Sequence, residues 1–126
     1  MTAYPIDHVD HRVGNVKRVR AFYDALMPAL GYTEVNDNRS VVEYYCRDAA
    51  NQFFGIHQRA DHRPSDTRVA FAARTRAAVD AIGEILTRAG AKRIEGPEDC
   101  PDYTQPYYAV FFEDPEGNKL EVCCRW

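Results

Sequence analysis

Residues 6–13, IDHVDHRV, alternate in character, which predicts a strand. Asn15 follows as a helix N-cap. Val19, Phe22, Tyr23, Leu26, Met27 and Leu30 then recur at helical spacing and form one apolar face. Gly31 fits the position just past the helix, and Pro28 in the last turn predicts a distorted end. Three extended stretches follow at 32–35, 41–46 and 52–58, with DNR and RDAAN supplying the turns. The first half therefore reads β-α-β-β-β.

The same order recurs after RADHRPSD, residues 59–66, which reads as a linker. RVAFAA, 68–73, predicts a strand, and Thr75 caps a helix whose apolar face is Val79, Ile82, Ile85, Leu86 and Ala89, closed by Gly90. A short strand at 91–94 leads into EGPEDCPDYTQP, a proline-rich loop expected to form a fixed rim. Strands at 107–113 and 118–125 complete the unit. Laid on one another, the halves put His8 opposite Arg68 and Gly55 opposite Glu121. Each unit is too small to bury a core alone, so the two should pair. The expected fold is α+β: one domain over 1–126, with modules at about 4–58 and 67–125, a cupped mixed sheet, and helices outside.

Alternation assigns faces. His8, Asp10 and Arg12 share one side of the first strand, a polar face for a strand lining an interior, which favours a pocket. His11 falls on the opposite side, toward the helices, and reads as a satisfied buried or half-exposed histidine. On the last strand Lys119, Glu121 and Cys123 share a face, with Leu120, Val122 and Cys124 packing toward the helices. Tyr44, Tyr45, Phe53, Phe54, Tyr103, Tyr107 and Tyr108 lie on or near strands, most of them core and one or two available as a ligand platform.

Composition narrows the classes. The 126 residues are 45% hydrophobic and 28% charged with net charge −3, as in an ordinary globular domain. There is no basic stripe for nucleic acid, no run of membrane-spanning length and no signal-peptide core in MTAYPIDHVDH, so a cytoplasmic protein is expected. Cys46, Cys100, Cys123 and Cys124 form no C-x-x-C pair and read as small hydrophobes. No phosphate-binding glycine loop and no G-x-S-x-G elbow occurs.

Two passages carry a resemblance. IDHVDHRVGNVKRVRAFYDALMPALGY and YYAVFFEDPEGNKLEVC resemble the opening and closing patterns of the vicinal oxygen chelate superfamily, which includes glyoxalases, bleomycin-resistance proteins and extradiol dioxygenases. RVAFAARTRAAVDAI is similar to its second-module strand and helix. The resemblance implies four inward strand positions supplying His and Glu ligands to Fe(II), Mn(II), Zn(II) or Ni(II). His8 matches the first-strand His and Glu121 the last-strand Glu, whereas the other two positions hold Arg68 and Gly55.

His57, two residues beyond Gly55 on the same face, is the candidate third ligand; its alternative is a polar residue at a strand end. Arg68 cannot ligate a metal, so it either pairs with Glu121 or an anionic ligand or points elsewhere. Two functions follow. One is a metal-dependent lyase or dioxygenase acting on a small vicinal-oxygen substrate, with His8 and Glu121 at the metal, His57 or a residue of a partner chain completing the shell, and Glu121 catalytic. The other is a metal-free binding protein of the bleomycin-resistance kind, in which Arg12, Arg68 and strand tyrosines such as Tyr108 hold a small anionic or aromatic molecule. Family resemblance and base rates add a homodimer to either.

Overall fold

The structure is a computed structural model and describes residues 5–126, so residue 4, where the first module was expected to begin, lies outside it. Chain order is β1 (His8–Val13), α1 (Val16–Ala29), β2 (Glu34–Asn38), β3 (Val41–Cys46), β4 (Gln52–Gln58), β5 (Arg68–Ala72), α2 (Arg76–Ala89), β6 (Lys92–Asp99), β7 (Tyr108–Glu113) and β8 (Lys119–Cys124), with a 3-10 turn at Arg47–Ala49. The strands form two four-stranded mixed sheets of matching order, β1-β4-β3-β2 and β5-β8-β7-β6. In each, the first and last strands of the module are parallel neighbours and the rest are antiparallel. This is the paired β-α-β-β-β architecture expected from the repeat.

Register confirms the internal alignment residue by residue. Asp10 pairs with Gly55 in the first sheet, and Ala70 pairs with Glu121 in the second. One step back along the same faces, His8 and Arg68 take equivalent places.

Each helix buries its apolar stripe on one face of its sheet. Val16, Val19, Phe22, Tyr23, Leu26 and Met27 of α1 meet Val42, Tyr44, Phe54 and Ile56, while Val79, Ile82 and Leu86 of α2 meet Phe71, Val110, Phe112, Leu120 and Val122. These side chains form a single cluster through contacts such as Phe54 against Phe71, ring centroids 5.2 Å apart. Burial of each large apolar side chain contributes about 1.5–3 kcal/mol, so this shared core is what joins the modules. Along the edges of the two sheets, residues 7–9 at the start of β1 and 69–72 of β5 line one cleft, Asp7 lying just before the strand, and residues 9–12 with 67 and 69 line another.

The helix ends follow their sequence signals. Asn15 Oδ1 accepts from the Arg18 amide at 2.9 Å, and Thr75 Oγ1 accepts from the Ala78 amide at 3.0 Å. At the far end of α1 the Gly31 and Tyr32 amides donate to the carbonyls of Pro28 and Met27, both at 3.0 Å, with Gly31 at φ +98. This reciprocal pair lets α1 run through Pro28 to Ala29.

Several strand ends shift by one or two residues from expectation, β1 for instance starting at His8 rather than Ile6, and two elements differ in a way that has a structural cause. β2 starts at Glu34 rather than Tyr32, because the helix-closing bonds occupy Gly31 and Tyr32. β6 extends to Asp99, through residues expected in the rim loop. It is an edge strand paired, among the described residues, with β7 alone, and of two register shifts the second spans Gly96 and Pro97. The rim proper is then confined to about residues 100–107. Among the described residues no helix is long and apolar enough to cross a membrane.

Candidate ligand-binding site

The faces turned away from the helices carry the polar chemistry. On the first sheet, β1 presents His8, Asp10 and Arg12, β4 presents Phe53, Gly55 and His57, and β3 presents Glu43 and Tyr45. Asp10 lies between two imidazoles: its Oδ1 is 3.1 Å from His57 Nε2 and its Oδ2 is 3.8 Å from His8 Nε2. His57 Nε2 is shielded from solvent and makes no aligned hydrogen bond among the described residues.

Gly55 makes the approach of His57 to Asp10 feasible, because a Cβ at 55 would sit 3.3 Å from His57 Nε2 and 3.5 Å from Glu43 Cγ. His8 stacks on Phe53 at 4.4 Å and bonds Asp7 through Nδ1 at 2.8 Å. That hydrogen bond, aided by the Asp10 charge, holds its pKa above the ordinary histidine value. Arg12 bonds the Asp10 carbonyl of its own strand at 3.3 Å.

On the second sheet, Glu121 is 4% exposed. Its carboxylate accepts a short hydrogen bond from the Tyr107 hydroxyl. Burial, together with that bond, pushes the Tyr107 pKa up, so the hydroxyl keeps its proton and acts as a fixed donor. Tyr107 packs on Tyr103 at 4.8 Å, and Tyr103 lies 6.1 Å from Phe111. The Arg68 guanidinium lies over the Phe111 ring at 5.0 Å. Among the described residues it has no carboxylate at ion-pair distance, so the Arg68–Glu121 pairing considered from sequence is not the arrangement present. Lys119 pairs with Asp66 at 2.8 Å, and Arg93 lies 3.7 Å from Glu113. Arg68, Arg93, Glu95, Tyr103, Phe111 and Lys119 line a cleft of about 290 Å³. All four cysteines are free, and burial raises the Cys100 and Cys123 pKa values.

The candidate metal ligands are divided between these faces. His8 and His57 lie on the first sheet with Asp10, and Glu121 lies on the second with Tyr107. Among the described residues no group of three or more His, Cys, Asp or Glu side chains is placed to hold a metal ion. Gly55 and Arg68, at the remaining two positions of the repeat, supply no lone pair, so the residues present do not fit the complete metal set that the fold family implies.

Tyr108 lies on the helix side of β7, opposite Cys124. Its hydroxyl donates to Asp80 of α2 at 2.5 Å, and Arg76 covers its ring at 4.1 Å. The tyrosine on the open face is Tyr107. Strand parity held that signal, since Tyr108 pairs with a residue already assigned to the helix side.

His11 belongs to a buried network that sequence reasoning missed. Asp114, 0% exposed, accepts from Tyr23 Oη at 2.6 Å, Asn118 Nδ2 at 2.8 Å, and the amides of Glu116 and Asn118 at 2.9 and 3.0 Å. His11 Nε2 lies 3.8 Å away. Burial acts to raise the Asp114 pKa, but His11, Tyr23 and Asn118 outweigh it and hold it below the ordinary carboxylate value. In the same turn, Glu116 accepts from the Gly14 and Asn15 amides at 2.6 and 3.0 Å. The turn Asp114–Asn118 of the second module thus caps the helix of the first.

Comparisons with known proteins agree with this geometry. A crystal structure of a glyoxalase/bleomycin resistance protein from Albidiferax ferrireducens T118 is 25% identical and superposes with TM-score 0.78, covering 96% of this chain and 98% of that one. A glyoxalase/bleomycin resistance protein/dioxygenase family enzyme from Burkholderia phytofirmans PsJN is 16% identical, with TM-score 0.73 and coverage of 95% and 98%. The genomically encoded fosfomycin resistance protein FosX from Listeria monocytogenes is 14% identical, with TM-score 0.71 and coverage of 98% and 94%. The last two likenesses concern the fold alone. No curated protein matches the sequence. The family model that describes the Glyoxalase/Bleomycin resistance protein/Dioxygenase superfamily matches residues 5–122, and the chain belongs to that superfamily.

Proposed function

We propose that the protein binds a small molecule on the open faces of its sheets without a resident metal. One observation carries this reading: the two strand pairs that should each contribute two ligands contribute His8 and Gly55 in one module, Arg68 and Glu121 in the other. A guanidinium at a ligand position repels a cation and attracts an anion. Glu121 is moreover engaged by the Tyr107 hydroxyl, while His8 bonds Asp7 through Nδ1 and stacks on Phe53. Under this reading Glu121 is a positioning residue that fixes Tyr107 rather than a catalytic group, whereas the enzyme reading would place an ion between Glu121 and the Nε2 atom of His8. The homodimer expected from sequence belongs to the same proposal, and sedimentation equilibrium checks it.

The test is elemental analysis of untagged protein after loading with Fe(II), Mn(II), Zn(II) and Ni(II) and desalting. Substoichiometric metal with every ion, unchanged by Glu121→Gln, is expected. One equivalent of metal that Glu121→Gln removes would overturn the reading.

A further inference from the structure

We infer that the cleft beside Arg68 is a binding site for a planar organic monoanion, an aromatic carboxylate being the simplest case; this rests on the metal-free reading above and names its ligand class. The guanidinium lies on the Phe111 ring at 5.0 Å, which orders it while leaving its N–H edge for an acceptor. Among the described residues no carboxylate pairs with it, whereas Lys119 and Arg93 each have an acidic neighbour, Asp66 and Glu113. An ordered, unpaired guanidinium edge accepts a carboxylate through two parallel hydrogen bonds.

The charge lining the cleft limits what enters. Of the lining cations, Lys119 is held by Asp66 and Arg93 by Glu113, which leaves the Arg68 guanidinium as the one without a carboxylate partner among the described residues. A monoanion is matched there, and a phosphate dianion would meet two carboxylates without enough compensation. The walls select shape. Tyr103 and Phe111, 6.1 Å apart and inclined at 57°, both line one cavity of about 290 Å³, an aromatic lining suited to a single small flat body. Beneath them, the buried Glu121 fixes Tyr107, and Tyr107 backs Tyr103 at 4.8 Å. The carboxylate at the family's ligand position therefore holds the aromatic wall in place.

The experiment titrates the full chain with benzoate by calorimetry and by two-dimensional NMR, with benzyl alcohol, benzylamine and inorganic phosphate as comparison probes. Expected are saturable benzoate binding, shifts at Arg68, Tyr103, Phe111 and Lys119, and weaker binding of all three comparison probes. Arg68→Met keeps an aliphatic stem over Phe111 and removes the fork, and should weaken benzoate by about tenfold to a hundredfold. Arg68→Lys keeps the charge without the fork and should fall between; circular dichroism checks that both variants fold. The inference is overturned if benzoate does not bind, if Arg68→Met binds it as tightly, if phosphate binds at least as well, or if the shifts fall on His8, Asp10 and His57. Failure here with no metal bound overturns only the ligand class; a stoichiometric metal that depends on Glu121 overturns the reading beneath it.

Discussion

Asp114→Ala would remove one carboxylate from beneath four donors. In the folded protein Asp114 is 0% exposed and satisfies Tyr23 Oη, Asn118 Nδ2 and the amides of Glu116 and Asn118 at 2.6–3.0 Å. Alanine leaves the Tyr23 hydroxyl and the Asn118 amide buried without an acceptor, each costing about 1–3 kcal/mol. Loss of the turn amides' acceptor adds to this, so a total of about 3–5 kcal/mol is expected. For a chain of this size the whole stability is about 6–19 kcal/mol, so the loss is a large share of it. At about 4 °C per kcal/mol, Tm should fall by about 12–20 °C.

The pH dependence follows from the same contacts. Asp114 has a folded pKa below its unfolded value, so its contribution is present above about pH 4 and is lost as pH falls through the lowered folded value. Urea unfolding from pH 7 down to pH 2.5 measures both effects. The wild type should lose stability on the acid limb, and Asp114→Ala should start lower and lose less. A cost under about 1 kcal/mol, or parallel acid limbs in the two proteins, would refute the reasoning.

Other predictions use the same methods. Glu116→Ala, which strips the acceptor from the Gly14 and Asn15 amides, should cost about 1–2 kcal/mol in urea unfolding. Tyr107→Phe leaves Glu121 buried without its donor and should cost about 1–3 kcal/mol, whereas Glu121→Gln retains an acceptor and should cost less. Gly96→Ala places a Cβ 2.6 Å from the Ala109 carbonyl oxygen at φ +92 and should destabilise by about 1–3 kcal/mol, read by thermal unfolding. The nearest atoms to a Cβ in Gly55→Ala belong to the His57 ring and the Glu43 stem, both side chains that can give, so stability should change by under about 1 kcal/mol while the His57 ring resonances shift as it leaves Asp10.

Most of the architecture was legible because it is written twice. Gly31 and Gly90 end equivalent helices, and Asp10 with Gly55 and Ala70 with Glu121 are equivalent register pairs, so each module checks the other. Period-two alternation placed His8, Asp10, His57 and Glu121 on open faces without any coordinates. What it could not supply was contact across elements. Only the folded chain shows that Arg68 rests on Phe111 instead of pairing with Glu121, because the choice depends on side-chain torsions. The network around Asp114 was hidden for a related reason: Asp114 and Tyr23 stand 91 residues apart and meet only when the two helix layers pack. The Gly96–Pro97 segment read as loop because edge-strand bulges have the composition of turns.

The central claim is that His8 and Glu121 do not share an ion. Titration with Mn(II) under two-dimensional NMR tests it most directly, since the paramagnetic ion broadens whatever it sits beside. The account predicts no stoichiometric broadening that takes in both the His8 ring and the residues around Glu121. Joint broadening of the two at one equivalent of Mn(II), abolished by Glu121→Gln, would contradict it.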